Sequence, residues 1–458
     1  MVARTRTPAA PRRRTTTPGR VALAAGLAVP LFGAAALISA APLPPPLGAC
    51  TGAACPNPFP GHNNGPFAGR DASISVFTGG GFAVRGRAAE AEGQIVVLGD
   101  ISVDKTGGGS YNMGVAGVGS RVPPPDGTDF VTTGGTLTVG TGTTLLVGEG
   151  DPAFPAAPSA WGNVRHRGAT SGTVSIAPNG QSIQDDAASD RYAYLRPLVT
   201  DLSTCVAAAT TTGTVTSDGF TVTFAGDNTS ARQVFDVPGS IGTADRAVDL
   251  VFTGIPAGAT VLVNLMAPDA LINTNTGSAL PGDQLTGLGP KLMWNFPTAT
   301  TAKITGGAQF QGSVLGGNPA GTTTLSTPGL DGRVYLAGSL LHDSPQTGVE
   351  IHNYPFNGDL PDCESPSPSP SESESVSPTP SPSPSESESS SPSPSASSAH
   401  PSHSTSAPVT SPSTGHSHGP LPSTGTARLL PVGAAAGGLL IAGGTALFLA
   451  WRRKGRHS

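Results

Sequence analysis

The sequence predicts a mainly β fold with a β-solenoid-like body, with an irregular β-sandwich as the alternative. Short runs alternate threonine or serine with valine, isoleucine or leucine, which places apolar side chains on one face of a strand. Glycine clusters separate these runs, as tight corners require. The chain has 62 glycines and only 5% aromatic residues. Because a solenoid core is narrow and filled by medium aliphatic side chains, this composition favours the solenoid.

Seven runs of this kind predict strands in the central part of the chain, and they lie at residues 73–77, 94–98, 136–139, 143–147, 173–176, 220–224 and 260–265. Glycine-rich corners are predicted at residues 79–81, 107–109 and 134–135. One segment departs from the pattern. From Ile183 to Ala209, tyrosine, leucine and valine recur at helical spacing, which predicts a long helix packed alongside the β body. Pro197 is expected to bend it.

The two ends of the chain differ in composition from the body. Residues 1–40 combine an arginine-rich start with the apolar run Val21–Ala41 and predict a secretory signal, followed by a linker at 41–56. General secretion is favoured over the twin-arginine route, which the pair Arg13–Arg14 leaves open. The β domain is predicted at 57–363. Residues 364–420 are Ser/Pro/Glu-rich and cannot bury enough apolar surface to fold, so they predict a disordered stalk.

The last residues combine three features in a fixed order. The motif Leu421, Pro422, Ser423, Thr424, Gly425 comes first. Residues 429–451 then form 23 uncharged residues, enough for a transmembrane helix. A basic tail at 452–458 follows and predicts a cytoplasmic end.

This order resembles the LPXTG-type sorting signal of surface proteins of Gram-positive bacteria. The resemblance implies that a sortase cleaves after Thr424 and joins its carbonyl to peptidoglycan. The expected location is therefore secreted and covalently attached to the cell wall, after a membrane-spanning stage. The alternative is a permanent tail-anchor helix that follows a proline-rich linker.

Charge argues against nucleic acid as a partner. Of the 25 basic residues, six lie in the predicted signal and five beyond Gly425, so 14 face all 30 acidic residues and the mature chain carries about −16. A surface of that sign does not neutralise phosphates. It favours solubility at the wall instead.

Four cysteines, Cys50, Cys55, Cys205 and Cys363, are disulfide candidates in an exported chain. Three pairings are open, and we favour Cys50 with Cys55 and Cys205 with Cys363. Zinc is disfavoured because no C-x-x-C spacing occurs. No metal or cofactor is expected.

Glu350 and His352 are the strongest candidates for chemistry. On a strand they would face the same side, as an acid/base pair or half of a metal site. The favoured interpretation is a hydrogen-bonded end-cap of the β body, with Tyr354 and Phe356 filling its core. Since no nucleophile or phosphate-loop motif is present either, the sequence predicts a non-enzymatic protein without catalytic residues.

The body resembles the choice-of-anchor A family on four blocks in order, at residues 57–59, 291–299, 310–315 and 350–358. The resemblance covers roughly Asn57 to Leu360, and it implies adhesion or surface display. We expect an adhesin or display module that binds an extracellular protein or glycan. The alternative is a structural envelope component without a ligand. An ice-binding protein, suggested by rows at Thr136–Thr138, Thr214–Thr216 and Thr221–Thr223, and a glycan-active enzyme are less favoured.

Overall fold

Three parallel sheets of ten, eight and seven strands form the body. The structure is a computed structural model that describes residues 41–150 and 159–362. The chain passes from the ten-stranded to the eight-stranded to the seven-stranded sheet and back, so each round forms one coil. A mainly β fold is therefore confirmed. Parallel sheets favour the solenoid over the sandwich, because sandwiches are built from antiparallel sheets.

The first half of the body contains four coils, and each of the seven predicted runs of the chain coincides with a strand. In chain order the strands are β1 (Ala41–Pro42), β2 (Ile74–Thr78), β3 (Phe82–Gly86), β4 (Glu90–Glu92), β5 (Gln94–Val97), β6 (Ile101–Val103), β7 (Gly109–Gly114), β8 (Asp129–Thr133), β9 (Leu137–Val139), β10 (Thr143–Val147), β11 (Asn163–His166), β12 (Thr170–Ser171), β13 (Thr173–Ile176) and β14 (Ser182–Gln184). The predicted glycine corners at 79–81 and 134–135 lie between β2 and β3 and between β8 and β9, and the corner at 107–109 leads from β6 into β7, whose first residue is Gly109.

The second half begins after the helix and winds back toward the first. Its strands are β15 (Thr214–Ser217), β16 (Thr221–Ala225), β17 (Arg232–Val237), β18 (Asp249–Thr253), β19 (Thr260–Leu265), β20 (Asp269–Asn273), β21 (Leu292–Phe296), β22 (Thr301–Thr305), β23 (Gln309–Gln311), β24 (Ser313–Gly316), β25 (Thr322–Ser326), β26 (Gly329–Asp331), β27 (Val334–Leu336), β28 (Ser339–Ser344), β29 (Glu350–His352) and β30 (Asp359–Leu360). A short helix, α2 (Gln284–Leu288), and a 3₁₀ turn (Gly289–Lys291) precede β21. Strands β15, β16 and β18 form a separate small sheet.

The two halves meet in the middle of the body rather than end to end along the chain. The last full coil, β27 to β29, pairs in parallel with the first coil, β2 to β4. We call this junction the seam. Residues such as Val76 and Val334 are direct partners there. The outer edges of the body are therefore formed by the middle of the sequence, and its first and last strands, β1 and β30, pair with each other.

Aliphatic residues fill most of the interior, as the composition predicts. Val84, Val131 and Ile304 are fully buried in it. The second half adds an aromatic group in which Phe224 stacks on Phe252 at a centroid distance of 4.6 Å. Trp294 lies 5.2 Å from Phe310 and donates its indole N–H to the Gln311 carbonyl.

The predicted helix is present but shorter than expected. It runs as α1 (Leu195–Ala207), after a 3₁₀ turn (Asp190–Tyr192), and packs on the outer face of the ten-stranded sheet. Ile183 belongs to β14 instead, because it pairs with Arg165. Pro197 lies in the first turn, where a missing N–H leaves no hydrogen bond unmade, so the expected bend is not needed.

Several predictions fall on residues that the structure does not describe. These are the signal at 1–40, the stalk at 364–420, the sorting motif at 421–425, the span at 429–451 and the basic tail at 452–458. Among the described residues, no helix has both the length and the apolar character that a bilayer crossing needs.

Candidate functional site on the seven-stranded sheet

Two polar rows run across the outer face of the seven-stranded sheet at the seam. In the first row Gln309, Gly329, Glu350, Glu90 and Asn112 are successive partners across β23, β26, β29, β4 and β7. These positions flank inward-facing side chains, so they project from the outer face. Two carboxylates therefore lie directly opposite each other where the halves join.

The second row places a histidine between two acids. Gln311, Asp331 and His352 are successive partners in β23, β26 and β29. The Nδ1 atom of His352 lies 2.6 Å from Asp331 Oδ1, and its Nε2 atom lies 2.9 Å from Glu350 Oε2. Gln311 Nε2 donates to the other oxygen of Asp331 at 2.7 Å. The imidazole is thereby held in one orientation.

The two hydrogen bonds of His352 determine the direction in which its pKa is shifted. Burial alone would lower the pKa of His352, but its hydrogen bonds to Asp331 and Glu350 outweigh burial and raise the pKa to about 10. Glu90 is shifted in a different way. Burial raises the pKa of Glu90 to about 7, and the like charge of Glu350 adds to the increase. The hydrogen bond from the Gly117 N–H acts in the other direction and lowers the pKa.

A further carboxylate is sealed into the same face. Glu92 is fully buried and accepts backbone N–H groups from Ser120 at 2.9 Å, Arg121 at 2.7 Å and Asn353 at 2.9 Å. Arg121 has a φ of 55°, unusual for a residue other than glycine. Glu92 therefore anchors the loop after β7 and the residue after β29 to β4.

The segment before β2 covers this face. The rings of His62 and His352 have centroids 4.7 Å apart, and Phe59 contacts Tyr354 edge-on at 5.9 Å. The Nε2 atom of His62 and the hydroxyl of Tyr354 are buried without a hydrogen-bond partner. Two polar atoms in the same neighbourhood are thus available to a ligand.

A cavity of about 280 Å³ opens beside these residues. Its wall combines aromatic and proline surfaces with a few polar groups, and its lining includes Phe59, His62, Gln311, Asp331, Tyr354 and Asn357. An apolar wall with a small number of convergent polar groups is the usual composition of a ligand site.

Sequence reasoning found half of this site. Glu350 and His352 do share a face and contact each other, as predicted. The expected end-cap is wrong, because β29 lies in the interior of the sheet between β26 and β4. Tyr354 lines the cavity instead of filling the core, whereas Phe356 is buried in the apolar cluster beneath α1. His62 and Asp331 were missed, since they stand far from His352 in sequence and carry no local motif.

The cysteine prediction is supported in its first part. Cys50 and Cys55 form a disulfide with a Cα–Cα distance of 6.0 Å. Cys205, on α1, is also disulfide-bonded. Cys363 lies outside the described residues, so its pairing with Cys205 stays a prediction.

The threonine rows are short. Thr216 and Thr223 are partners in the small sheet, but the next residue in that row is Val251. Thr138 is exposed beside Ser171 on the eight-stranded sheet. Thr136 lies outside any strand, and its hydroxyl donates to Asp100. These rows do not form one regular surface.

The protein is a mainly β protein in which three parallel sheets are wound into successive coils, with α1 packed alongside and polar contacts at the seam. Residues 72–353 match the family model described as Putative Ice-binding-like adhesive domain, more than half of the 458 residues, and the chain belongs to this family. No curated protein and no solved structure matches the chain at a significant level. The family match supports a surface adhesin-type role.

Proposed function

We propose that this chain is a secreted, cell-wall-anchored adhesin or display protein of the choice-of-anchor A type. Its β domain binds an extracellular protein or glycan, and its stalk carries that domain away from the wall. The observation that carries the proposal is the family match over residues 72–353. The order of sorting motif, apolar run and basic tail at residues 421–458 supports the anchor.

The anchor is proposed to form by transpeptidation. A sortase cleaves between Thr424 and Gly425 and transfers the Thr424 carbonyl to an amine of peptidoglycan. Cell fractionation tests this step. The wild-type chain should remain with the wall after detergent extraction, whereas Thr424→Ala should be released by detergent with its tail retained. Thr426→Ala, just outside the motif, is the matched control and should behave as wild type. Release of the full-length wild-type chain by detergent would contradict the anchor.

We place the ligand at the cavity beside the seam. Aromatic faces at Phe59 and Tyr354, with amide and carboxylate groups at Gln311 and Asp331, provide both the apolar and the polar contacts that a sugar residue or a peptide side chain needs. The buried, unpartnered hydroxyl of Tyr354 is available for a hydrogen bond.

A binding screen of the secreted chain against matrix proteins, glycans and whole cells tests this placement. Tyr354→Ala should weaken binding to any hit, whereas Tyr194→Ala should not, because Tyr194 is 52% exposed and does not line the cavity. Equal affinity of both variants would move the ligand elsewhere on the surface. Binding to no member of the screen would favour the alternative, a structural envelope component without a ligand.

Ice binding is the second candidate because of the family description. An ice-binding face needs evenly spaced hydroxyl and methyl groups, and Val251 interrupts the row of Thr216 and Thr223. Absence of thermal hysteresis in a concentrated solution would exclude this candidate. An enzymatic role would be shown by cleavage of wall polysaccharide that is lost in His352→Ala. We propose that no cleavage occurs.

A further inference from the structure

We infer that His62, Asp331 and His352 form a binding site for a divalent transition-metal ion at the floor of the cavity. One ligand atom from each of the three residues lies within 4.8 Å of the other two. Two imidazoles and a carboxylate are a donor set that suits zinc and its neighbours in the first transition row. This inference goes beyond the proposed adhesive function and does not depend on it.

The unpartnered nitrogen of His62 is the independent observation. Its Nε2 atom is buried and makes no hydrogen bond, although buried polar groups in proteins are nearly always paired. The ring nevertheless lies 4.7 Å from that of His352. A metal ion would give this nitrogen its partner.

A local rearrangement brings the three ligand atoms, which lie within 4.8 Å of one another, to metal-binding separations. Two nitrogen or oxygen ligands of one tetrahedral zinc ion lie about 3–3.5 Å apart, given bonds of about 2.0–2.1 Å. Asp331 and His352 are 2.6 Å apart at their closest atoms, so these two atoms must move slightly apart to share an ion. His62 stands on a loop rather than in a strand, so a change of its side-chain torsions supplies the remaining movement.

Neighbouring side chains are placed as outer-shell partners. Gln311 Nε2 holds the second oxygen of Asp331 at 2.7 Å, and Glu350 accepts from His352 Nε2 at 2.9 Å. A carboxylate that holds the far nitrogen of a metal-binding imidazole is a common arrangement. When the ion binds, the proton between His352 Nδ1 and Asp331 Oδ1 is released to solvent. This nitrogen and this oxygen then become ligands of the ion.

Three protein ligands leave a fourth position of a tetrahedral ion open. The cavity is lined by His62 and Asp331, so that position faces the cavity. The site therefore has room for a water molecule or for a donor group of a bound molecule.

Metal binding by the secreted chain tests the inference directly. The predicted stalk carries histidines that would bind zinc on their own account, so all variants are made with serine at positions 400, 403, 416 and 418. After zinc loading and dialysis, this chain should retain about one zinc ion, as three-ligand sites do. His62→Ala should weaken zinc binding by at least about tenfold, as should Asp331→Asn.

The control is His166→Gln, since His166 lies on β11 at the other end of the first half and is not part of the cluster. It should bind zinc as the unsubstituted chain does. Cobalt gives a second readout, because His62→Ala should lose the visible absorption of a tetrahedral site. If Asp331→Asn disturbs the fold around β26 and β29, circular dichroism shows it, and His62→Ala on its loop remains decisive. Equal zinc affinity in His62→Ala, or no retained zinc in the parent chain, would overturn the inference.

Discussion

The interior and the outer face of the seam hold histidines in opposite protonation states. His342, on β28, faces the interior, and its Nδ1 atom lies 2.8 Å from the hydroxyl of Tyr111. Burial, with the charge of His352 added, lowers the pKa of His342 to about 3. His352 on the outer face has two carboxylates instead, and its pKa is raised to about 10. The same side chain is neutral where it is buried with a hydroxyl partner and charged where two carboxylates accept its N–H groups.

The interior and the outer face also differ in how they fix the register of two halves that are distant in sequence. Apolar packing is not directional, so an interior of valine and leucine alone would exclude a slip of one residue but would tolerate a slip of two, which keeps the same side chains inside. Ionic and hydrogen-bonded contacts have specific partners. At the seam they include Arg333 with Asp71 and Glu92 with the backbone of Asn353. We infer that the polar outer face sets the register and the interior supplies the burial.

The largest effect is expected from breaking the buried ion pair. Arg333 and Asp71 are both 0% exposed, and Arg333 also donates to the Ile74 carbonyl. Arg333→Met leaves Asp71 charged and unpaired, which should lower the free energy of unfolding by about 3–5 kcal/mol. Urea denaturation measures it.

Two further variants sharpen this result. Adding Asp71→Asn to Arg333→Met should recover part of the loss, because no uncompensated charge then remains. Arg70→Met removes a partly exposed pair with Asp126 and should cost less than about 1 kcal/mol. A similar loss in Arg70→Met and Arg333→Met would show that burial of the seam pair is not the cause.

The second largest loss of stability is expected at low pH, where the interior histidine His342 becomes protonated on unfolding. The folded pKa of His342, about 3, lies below its ordinary value of 6.5. Its contribution to stability is therefore present above pH 6.5 and is lost as pH falls toward 3. Going from pH 7.5 to pH 4 should cost about 3 kcal/mol through this group alone.

Other groups titrate in the same range, so the test is a difference. His342→Gln keeps a hydrogen-bonding partner for Tyr111 but does not titrate. Unfolding free energies of this variant should fall less steeply between pH 6.5 and pH 4 than those of wild type. Parallel curves would mean that His342 is not held neutral by the fold.

Sequence reasoning predicted what depends on neighbours in the chain. Alternating residues gave the strands, and the spacing of Glu350 and His352 gave their common face. The helix start was wrong because Ile183 is paired to Arg165, a tertiary contact that overrides helical spacing. The seam joins residues more than 250 positions apart, such as Asp71 and Arg333. No local pattern marks such partners, so the complete site could not be predicted.

A smaller loss is expected in the interior from Tyr111→Phe. This variant removes the hydroxyl that bonds His342 and leaves a buried ring nitrogen without a partner. The cost should be about 1–3 kcal/mol in urea denaturation at pH 7.5. Tyr194→Phe, on an exposed side chain, should change stability by less than about 0.5 kcal/mol. Equal effects of the two variants would mean that the bond to His342 contributes nothing.

The smallest effect is expected from Glu90→Gln on the outer face, measured with EDTA present. Burial raises the pKa of Glu90 to about 7, above the ordinary 4.5, so its contribution to stability is lost as pH rises from 4.5 through 7. Glutamine keeps the acceptor for the Gly117 N–H and removes the charge that opposes Glu350. The variant should match wild type near pH 4.5 and exceed its stability by about 1 kcal/mol above pH 7, since Glu90 is half-buried and solvent screens the charge. A variant that is less stable than wild type at pH 8 would show that the Glu90 carboxylate supports the seam instead of straining it.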